Sequence, residues 1–445
     1  MKYLFTLLAF GFVFDVHAQE PVYNTEINLL GMGYTTENSP FYFHSNQRGR
    51  IDEETNFSSW INSSVSLSLS EESFIEAGAG LLYYDGFNDE VKLDESYLHY
   101  QHKIFEVVLG RKQKPTLYDG LSATNDNILW SLNARPLPGI QIRTTKPIGL
   151  WKKAHLSFEA SLEEYWMGND RVVQGARLHH KSFHFIVNPS EFFNLKFGLQ
   201  HFAQWAGKSP VYGELPGGFK DYVRVFMGKE GSGNAVDGEE INALGNHLGS
   251  FEIIFSTLMN DHELQFMYNH LFEDGSGRRF NNIPDGRYGV FFRNKDETKL
   301  FNALLYEIYY TKNQSKGSTT TDGMDNYFQN QVYASGWTYE GFVLGVPFIT
   351  ASREEPYIVN NQVVVHHFGI GGMINKKLPY KFLASYRENF GAKGVNYEPN
   401  EIISAYFEVL AYRDFVDVRV RVGSDFISND SPVYGAGILI SKNLF

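Results

Sequence analysis

The fold is decided by stretches such as residues 415–422, which read Phe-Val-Asp-Val-Arg-Val-Arg-Val. From Val416 onward, valine occupies every second position and charged residues fill the positions between. Because successive side chains of a β-strand point to opposite faces, this segment has one apolar face and one charged face. The same alternation appears in residues 64–70 and 156–163. We therefore predict an all-β protein.

The predicted strands are longer than strands in soluble proteins, which average about five or six residues. A strand that crosses a bilayer at a tilt needs about 9–11 residues. Tyr and Phe also gather near strand ends, as at Tyr83-Tyr84 and Phe192-Phe193, where membrane barrels carry aromatic girdles. A soluble sandwich also alternates, but these two features favour a transmembrane antiparallel β-barrel.

We predict eighteen strands, and barrels of bacterial outer membranes have even numbers of strands. The predicted strands are 22–34, 57–70, 73–84, 95–101, 104–111, 139–146, 154–166, 172–187, 192–204, 247–258, 262–271, 287–294, 298–311, 363–374, 379–389, 401–411, 415–424 and 433–444.

The connections between these strands alternate in length. Those after even-numbered strands are short, whereas 35–56, 112–138, 205–246 and 312–362, which follow odd-numbered strands, are long. Short periplasmic turns and long extracellular loops are typical of outer-membrane barrels. Both termini are then periplasmic, and 112–138 is expected on the extracellular side, with 116–134 the only stretch suited to a helix. We expect the long loops to plug the lumen and to carry the function.

The first residues have the features of an export signal. Met1-Lys2 is positively charged, the next twelve residues, to Phe14, are largely apolar, and Val16-His17-Ala18 fits a cleavage site. We predict that 1–18 is a signal peptide and that 19–445 is a single barrel domain in the outer membrane of a Gram-negative cell. After residue 18, no apolar stretch is long enough for a membrane-spanning helix.

Composition excludes several functions. The 445 residues carry a net charge of −12, which argues against a nucleic-acid partner. The absence of Cys excludes thiolate zinc sites and Cys nucleophiles. The pairs His179-His180 and His366-His367 point to opposite strand faces, so we expect no metal and no cofactor.

No catalytic motif is evident. A Gly-x-Ser-x-Gly elbow in a strand-to-helix setting is missing, and His155 and His184 do not match the His-x-Ser strand motif of outer-membrane phospholipase. We expect a protein that is not an enzyme. A sugar-passing porin is the main alternative. An envelope hydrolase is a third hypothesis, because the paired carboxylates of a glycosidase are close in space rather than in sequence, so the sequence alone does not exclude them.

Several strings resemble the capsule assembly Wzi family in its Bacteroidota branch. They are Asn133 to Pro138, His179 to Phe183, Gly198 to Trp205 followed by Gly207 to Pro210, Asn242 to Ser250, Asp325 to Phe328, Ser335 to Tyr339, and Gly345 to Phe348. The resemblance implies a largely occluded outer-membrane barrel of eighteen strands that acts as a lectin. Such a protein helps to attach capsular polysaccharide or exopolysaccharide to the cell surface.

Glycan recognition needs aromatic faces for sugar C–H surfaces and planar polar groups for hydroxyls, and Arg binds carboxylates through two bonds. The candidate glycan-binding residues of this kind in the long loops are Trp205, Arg224, Asn326, Tyr327, Trp337 and Tyr339. Trp205 and Trp337 have a second interpretation, in which they pack the loops or belong to the aromatic girdle.

Arg419 and Arg421 share the polar face of their strand with Asp417 and are expected to form lumen salt bridges. The expected partners of the whole chain are capsular or exopolysaccharide and outer-membrane lipid, with no nucleic acid and a monomeric state.

Overall fold

The computed structural model describes residues 20–87, 90–233, 235–236, 243–273, 275–316, 325–352 and 357–444. The predicted signal peptide, residues 1–18, lies outside these ranges and stays a prediction.

Within the described ranges, one antiparallel sheet dominates the structure and closes into a barrel of eighteen strands. The strands are β1 (Val22–Tyr34), β2 (Phe57–Ser70), β3 (Ser73–Tyr84), β4 (Glu90–His102), β5 (Phe105–Arg111), β6 (Gly139–Thr144), β7 (Leu156–Trp166), β8 (Arg177–Ser190), β9 (Phe193–Trp205), β10 (Asn246–Met259), β11 (His262–Phe272), β12 (Gly286–Asn294), β13 (Ala303–Tyr310), β14 (Val363–Ile374), β15 (Leu378–Asn389), β16 (Asn400–Arg413), β17 (Asp417–Ile427) and β18 (Val433–Asn443).

Each barrel strand pairs with its neighbour in sequence, and the last strand pairs with the first. Leu30 of β1 lies opposite Leu439 of β18, which closes the wall. The short strand Ile148–Trp151 pairs with the start of β7 beside the barrel strands. Closure is a physical requirement in lipid, because the bilayer offers no partner for the backbone groups of an open edge.

The predicted set of eighteen strands is confirmed, and the errors lie in individual bounds. β4 begins at Glu90 rather than 95, and β8 begins at Arg177 rather than 172. Residues 172–176 belong to a loop, in which the backbone N–H of Val172 donates to Ser335 Oγ at 2.9 Å. β13 is shorter than 298–311, because Asp296 caps a turn by accepting hydrogen bonds from the backbone and hydroxyl of Thr298.

The strands alternate as the sequence predicts, with the apolar face outward. Leu81 is 51% exposed on the outer face, whereas its neighbour Leu82 is buried on the lumen side. On β17, Val422 faces outward and Arg421 lies in the lumen, where its guanidinium is 2.8 Å from Glu408. Arg419 pairs with Asp417 at 3.6 Å. The lumen arginines therefore form salt bridges with wall carboxylates, as expected.

The helices are short and belong to the loops rather than to the barrel wall. They are α1 (Phe41–His44), α2 (Phe219–Met227), α3 (Gly275–Arg278) and the 3-10 turns Tyr118–Gly120 and Lys152–Ala154. The loops also contain two-stranded pairs formed by Lys208–Ser209 with Gly213–Glu214, Thr338–Tyr339 with Phe342–Val343, and Thr350–Ala351 with Ile358–Asn360. In the described part of the chain, no helix combines the length and the apolar character that crossing a bilayer requires.

The expectation that 116–134 is the only stretch suited to a helix is wrong. That stretch contains a single 3-10 turn, because the Asn125 side chain accepts from the backbone of Leu117 and Asn127 accepts from Leu129. The longest described helix is α2, in the loop between β9 and β10. The Gly218 N–H donates to Asp221 at its start, and Gly228 ends it with a left-handed φ of 61°.

Candidate functional site

The described parts of three long loops fold into the lumen. They belong to 35–56, 112–138 and 311–362, and we call them the plug. Their apolar side chains form one buried cluster with the inner wall, which includes Phe41, Leu121, Trp130, Phe328 and Trp337. A packed cluster of this size excludes water from much of the barrel interior.

The segment 112–138 leaves the wall well below the extracellular rim. β5 ends at Arg111, which pairs with Ser96 in the middle of β4. From there the chain descends, and Asp119 pairs with Arg293, near the periplasmic end of β12. The segment is therefore attached to the extracellular ends of β5 and β6 and lies inside the barrel, as expected for a long extracellular loop that plugs the lumen.

A buried ion pair fixes this segment to the wall. Arg287 of β12 and Glu307 of β13 are 2.7 Å apart, and both side chains are almost completely buried. Glu307 also accepts hydrogen bonds from the hydroxyl of Ser122 at 2.8 Å and from the backbone N–H of Ala123 at 3.0 Å. The carboxylate thus binds the plug and the barrel wall at once.

A glycine on β14, the strand next to β13, lets the plug backbone lie directly against the wall. A Cβ at Gly369 of β14 would lie 2.8 Å from the Cβ of Leu121 and 3.0 Å from its carbonyl oxygen. The neighbouring His367 donates from Nε2 to the same carbonyl at 2.7 Å. Close approach of the plug backbone therefore depends on the missing side chain at this position.

Above the plug, the extracellular mouth contains a cavity of about 390 Å³. It lies between the outer ends of β3 and β4, the loop before β8 and the long loop after β13. Its walls are formed by Asp52, Tyr84, Phe87, Glu90, Lys92, Asp170, Arg171, Val172, Ser335, Thr338, Glu340, Gly341, Phe342, Ala351, Ser352 and Tyr357. We call it the mouth pocket, and its size is in the range of small-ligand sites.

Ion pairs hold the polar groups of the mouth pocket in place. Lys92 Nζ is 2.9 Å from Glu90 and donates to the Tyr84 hydroxyl at 3.1 Å. Glu340 is bound by Arg135 at 2.5 Å and lies 3.8 Å from Lys92. Because these side chains are already ordered, a ligand would meet fixed hydrogen-bonding groups at little entropic cost.

Arg171 connects the mouth pocket to the plug. Its guanidinium donates to the carbonyl of Thr338 at 3.0 Å, and burial lowers its pKa to about 10, so it stays charged at neutral pH. Beneath it, burial and the nearby Glu340 raise the pKa of Tyr339 to about 12, which keeps that phenol neutral. The turn of residues 338–340 is therefore held by three arginines, Arg171 at Thr338, Arg111 at Tyr339 and Arg135 at Glu340.

Two exposed aromatic side chains border the mouth pocket. Phe87 is 54% exposed and Tyr357 is 38% exposed. Phe342, also in the wall, is half-buried. Aromatic faces beside fixed charges are the combination that sugar rings require, since their C–H faces are apolar and their edges carry hydroxyls.

Four of the six residues chosen from the sequence lie in the plug. Trp337 is fully buried and donates from Nε1 to the carbonyl of Leu129 at 2.7 Å. Tyr327 is also fully buried, and its hydroxyl donates to Asp285 at 2.6 Å. The other two contact the inner loops and wall: Asn326 is half-buried and accepts from Asn361 at 2.7 Å, and the buried Tyr339 accepts from Arg111 at 3.2 Å.

The remaining two lie on the outer face of the barrel. Phe202 of β9 points into the lumen, where its ring is 5.5 Å from that of Trp337. Trp205, three residues later, points outward and is buried beneath α2, with its ring 5.4 Å from Tyr222. Arg224 lies on α2 and pairs with Asp221 at 3.6 Å. The structure thus separates these two residues from the plug.

Most residues of the mouth pocket are not among the candidates that the sequence provides. The sequence predicts Tyr84 as a girdle residue, but Tyr84 is two residues from Leu82, and the alternation of strand side chains places both on the lumen face. Arg171 is not a candidate, because the sequence predicts a strand from residue 172. The lumen-facing position of Tyr84 follows from the alternation of side chains along the strand. The contact between residues 170–172 and residues 335–342 depends on the conformation of two loops and does not follow from the sequence.

Within the ranges that the structure describes, no three His, Asp or Glu side chains are placed to share a metal ion. The expectations of no metal and no cofactor stay predictions.

Comparison with known proteins gives a family. The sequence model of the capsule assembly protein Wzi family matches residues 35–358. Comparison with curated protein sequences gives no match.

Solved structures share the fold at low sequence identity. Wzi of Escherichia coli, described as a carbohydrate-binding β-barrel involved in group 1 capsule assembly, has a TM-score of 0.58 and 12% identity, over 93% of this chain and 83% of its own. OccK5 of Pseudomonas aeruginosa has a TM-score of 0.51 and 10% identity, over 96% and 98%. OccAB4 of Acinetobacter baumannii has a TM-score of 0.51 and 9% identity, over 96% and 99%.

The strand number, the closed wall and the match over residues 35–358 agree with one another. The chain belongs to the capsule assembly protein Wzi family and is a β-barrel of the outer membrane.

Proposed function

We propose that this barrel binds capsular polysaccharide or exopolysaccharide at the cell surface and helps to attach it there. The observation that carries the proposal is the mouth pocket, in which exposed aromatic faces stand beside preordered charges at the extracellular end of a plugged barrel. Family membership supports it, as does the carbohydrate binding described for the E. coli protein of similar fold.

The plug supports binding over passage. A sugar-passing porin needs a continuous polar channel, whereas here an apolar cluster occupies the lumen and an ion pair binds 112–138 to the wall. The porin remains the rival function, and the two differ in ion conductance.

We also propose that the protein has no catalytic activity. The mouth pocket contains several carboxylates, but Glu340 is bound by Arg135 and Lys92, and Lys92 also holds Glu90. A glycosidase acid must carry a proton to donate, and carboxylates engaged by cations are poorly suited to that role. Release of free sugar from the polysaccharide by the pure protein would contradict this proposal.

The six residues chosen from the sequence have different roles in this proposal. Trp337, Tyr327 and Tyr339 act by holding the loop that forms one side of the mouth pocket, and Asn326 supports the same loop. Trp205 and Arg224 lie outside the barrel, away from this site. We further propose that the protein is monomeric and, because of its net charge of −12, binds no nucleic acid.

Removal of the exposed aromatic rings is expected to weaken glycan binding. The double variant Phe87→Ala, Tyr357→Ala should bind the polysaccharide of the producing strain at least about tenfold more weakly, since truncation of an aromatic anchor costs about 2 kcal/mol. Surface plasmon resonance of the detergent-purified protein measures the change. Phe415→Ala, which removes an exposed ring at the periplasmic end, is the matched control and should leave the affinity unchanged. Equal affinity of the double variant and the wild type would exclude the mouth pocket.

Deletion of the gene in the producing strain is expected to release polysaccharide into the medium while total synthesis stays constant. The reason is that a surface attachment protein acts after synthesis and export. Quantifying cell-bound and soluble polysaccharide, with a strain complemented by the wild-type gene as the control, tests this. An unchanged cell-bound fraction would contradict the proposed function.

A further inference from the structure

Helix α2, in the loop between β9 and β10, lies over the outside of the barrel. On β8, His180 faces the lumen, where its ring lies 6.3 Å from that of Trp130 in the plug. The adjacent His179 therefore faces outward, and its ring contacts Tyr222 at 5.7 Å and Phe226 at 5.3 Å. Helix α2 thus packs on the outer surface of the wall.

The strand beneath α2 shows at which depth the helix lies. The outward residues of β8, from the extracellular end, are Arg177, His179 and Lys181, followed by Phe183, which is 41% exposed. Lys181 donates to the carbonyl of Phe226 at the end of α2. The helix therefore lies directly above the first apolar row of the wall, at the level where lipid headgroups meet the hydrocarbon.

The residues of α2 divide into three faces. The wall-facing side contains Val225, which is fully buried, and the buried Asp221. A second face exposes Phe219 at 81%, Val223 at 44% and Met227 at 58%, which are four residues apart and so form one stripe.

Two cations, Lys220 and Arg224, border that apolar stripe on the side away from the wall. The same loop also exposes Val211 at 78% and Tyr212 at 46%. An apolar stripe bordered by cations is the pattern of helices that lie in a membrane interface.

We propose that α2 lies in the outer leaflet around the barrel, with Phe219, Val223 and Met227 among the acyl chains and Lys220 and Arg224 on anionic headgroups. The stripe continues the lipid-facing apolar band that begins at Phe183, so one continuous apolar surface meets the same leaflet. The cations complement the phosphate-bearing lipids of a bacterial membrane. The helix then fixes how deeply the barrel lies in the membrane and holds the extracellular rim of the barrel at the surface of the outer leaflet.

A single fluorescent label tests this placement, because the chain contains no Cys. Val223→Cys carries an environment-sensitive fluorophore on the apolar stripe, and Ser431→Cys, in the exposed turn between β17 and β18, is the matched control. The full chain is reconstituted in vesicles of phosphatidylethanolamine and phosphatidylglycerol, with and without doxyl-labelled lipid.

The label at 223 should be blue-shifted and should lose at least about half its intensity to doxyl lipid, since an interfacial helix lies about 5–10 Å into the headgroup region. The label at 431 should change little. Adding Lys220→Glu and Arg224→Glu should reduce the quenching at 223. Met227→Cys gives the same test at a second position of the stripe.

Equal quenching at 223 and 431 would overturn the proposal. So would a blue shift at 223 that appears only at high protein density and is insensitive to doxyl lipid, because a second copy of the chain would then cover the stripe.

Discussion

Replacing Glu307 with alanine is expected to destabilise the barrel by about 3–5 kcal/mol, the cost of leaving a buried charge without its partner. Arg287, whose side chain is almost completely buried, loses the carboxylate at 2.7 Å, and Ser122 and Ala123 lose their acceptor. The variant removes a wall contact and a plug contact at the same time. Urea unfolding in lipid vesicles, followed by tryptophan fluorescence, measures the loss.

Two controls separate this effect from a general effect of charge removal. Arg413→Gln breaks the exposed pair with Asp417, which should cost less than about 1 kcal/mol. The double variant Arg287→Met, Glu307→Leu should recover part of the stability, because it leaves no unpaired buried charge, although Ser122 and Ala123 still lack their acceptor. If Glu307→Ala unfolds at the wild-type urea concentration, the ion pair does not fix the plug.

Removing the plug segment is expected to convert a silent barrel into a conducting one. The wild-type protein should show almost no openings in a planar bilayer, because the plug fills the lumen. Replacing residues 114–136 with a short Gly-Ser linker should give steady, large openings. The wall can close around the deletion, since Gly110 and Gly139 already lie opposite each other in β5 and β6.

The control for this deletion removes residues 218–228, which are α2 and its two caps on the outer face, and it should remain silent. Large openings of the wild-type protein would favour the porin. Silence of the plug deletion would show that the other two loops seal the lumen by themselves.

The fold could be predicted because lipid imposes it on the sequence. In β17, the alternation of Val420 and Val422 with Arg421 separates the lipid face from the lumen face, and the structure follows it. The predicted strand bounds were wrong where a loop had the residues typical of a strand, as at Val172 and Val173 before β8. Which of the long loops enter the lumen could not be predicted, because this depends on contacts between distant segments, such as Ser122 with Glu307.

In the candidate site, too, the sequence predicts which face of a strand a residue occupies but not which loops meet. Trp205 is an even number of residues from Leu195, so the strand period alone places it on the lipid face of β9, and this signal was available in the sequence. The mouth pocket could not be predicted from the alternation of strand side chains. Its walls come from the ends of β3 and β4, the turn at Asp170-Arg171 and the turn at Glu340, and only the folded plug brings them together.

The most direct test of the account is a structure of the protein with an oligosaccharide from the polysaccharide of its own strain. The account predicts a sugar in the mouth pocket, stacked on Phe87 or Tyr357 and hydrogen-bonded to Lys92 or Glu340, with 112–138 still in the lumen. A sugar chain threaded through the barrel in place of the plug, or bound only outside the mouth pocket, would contradict it.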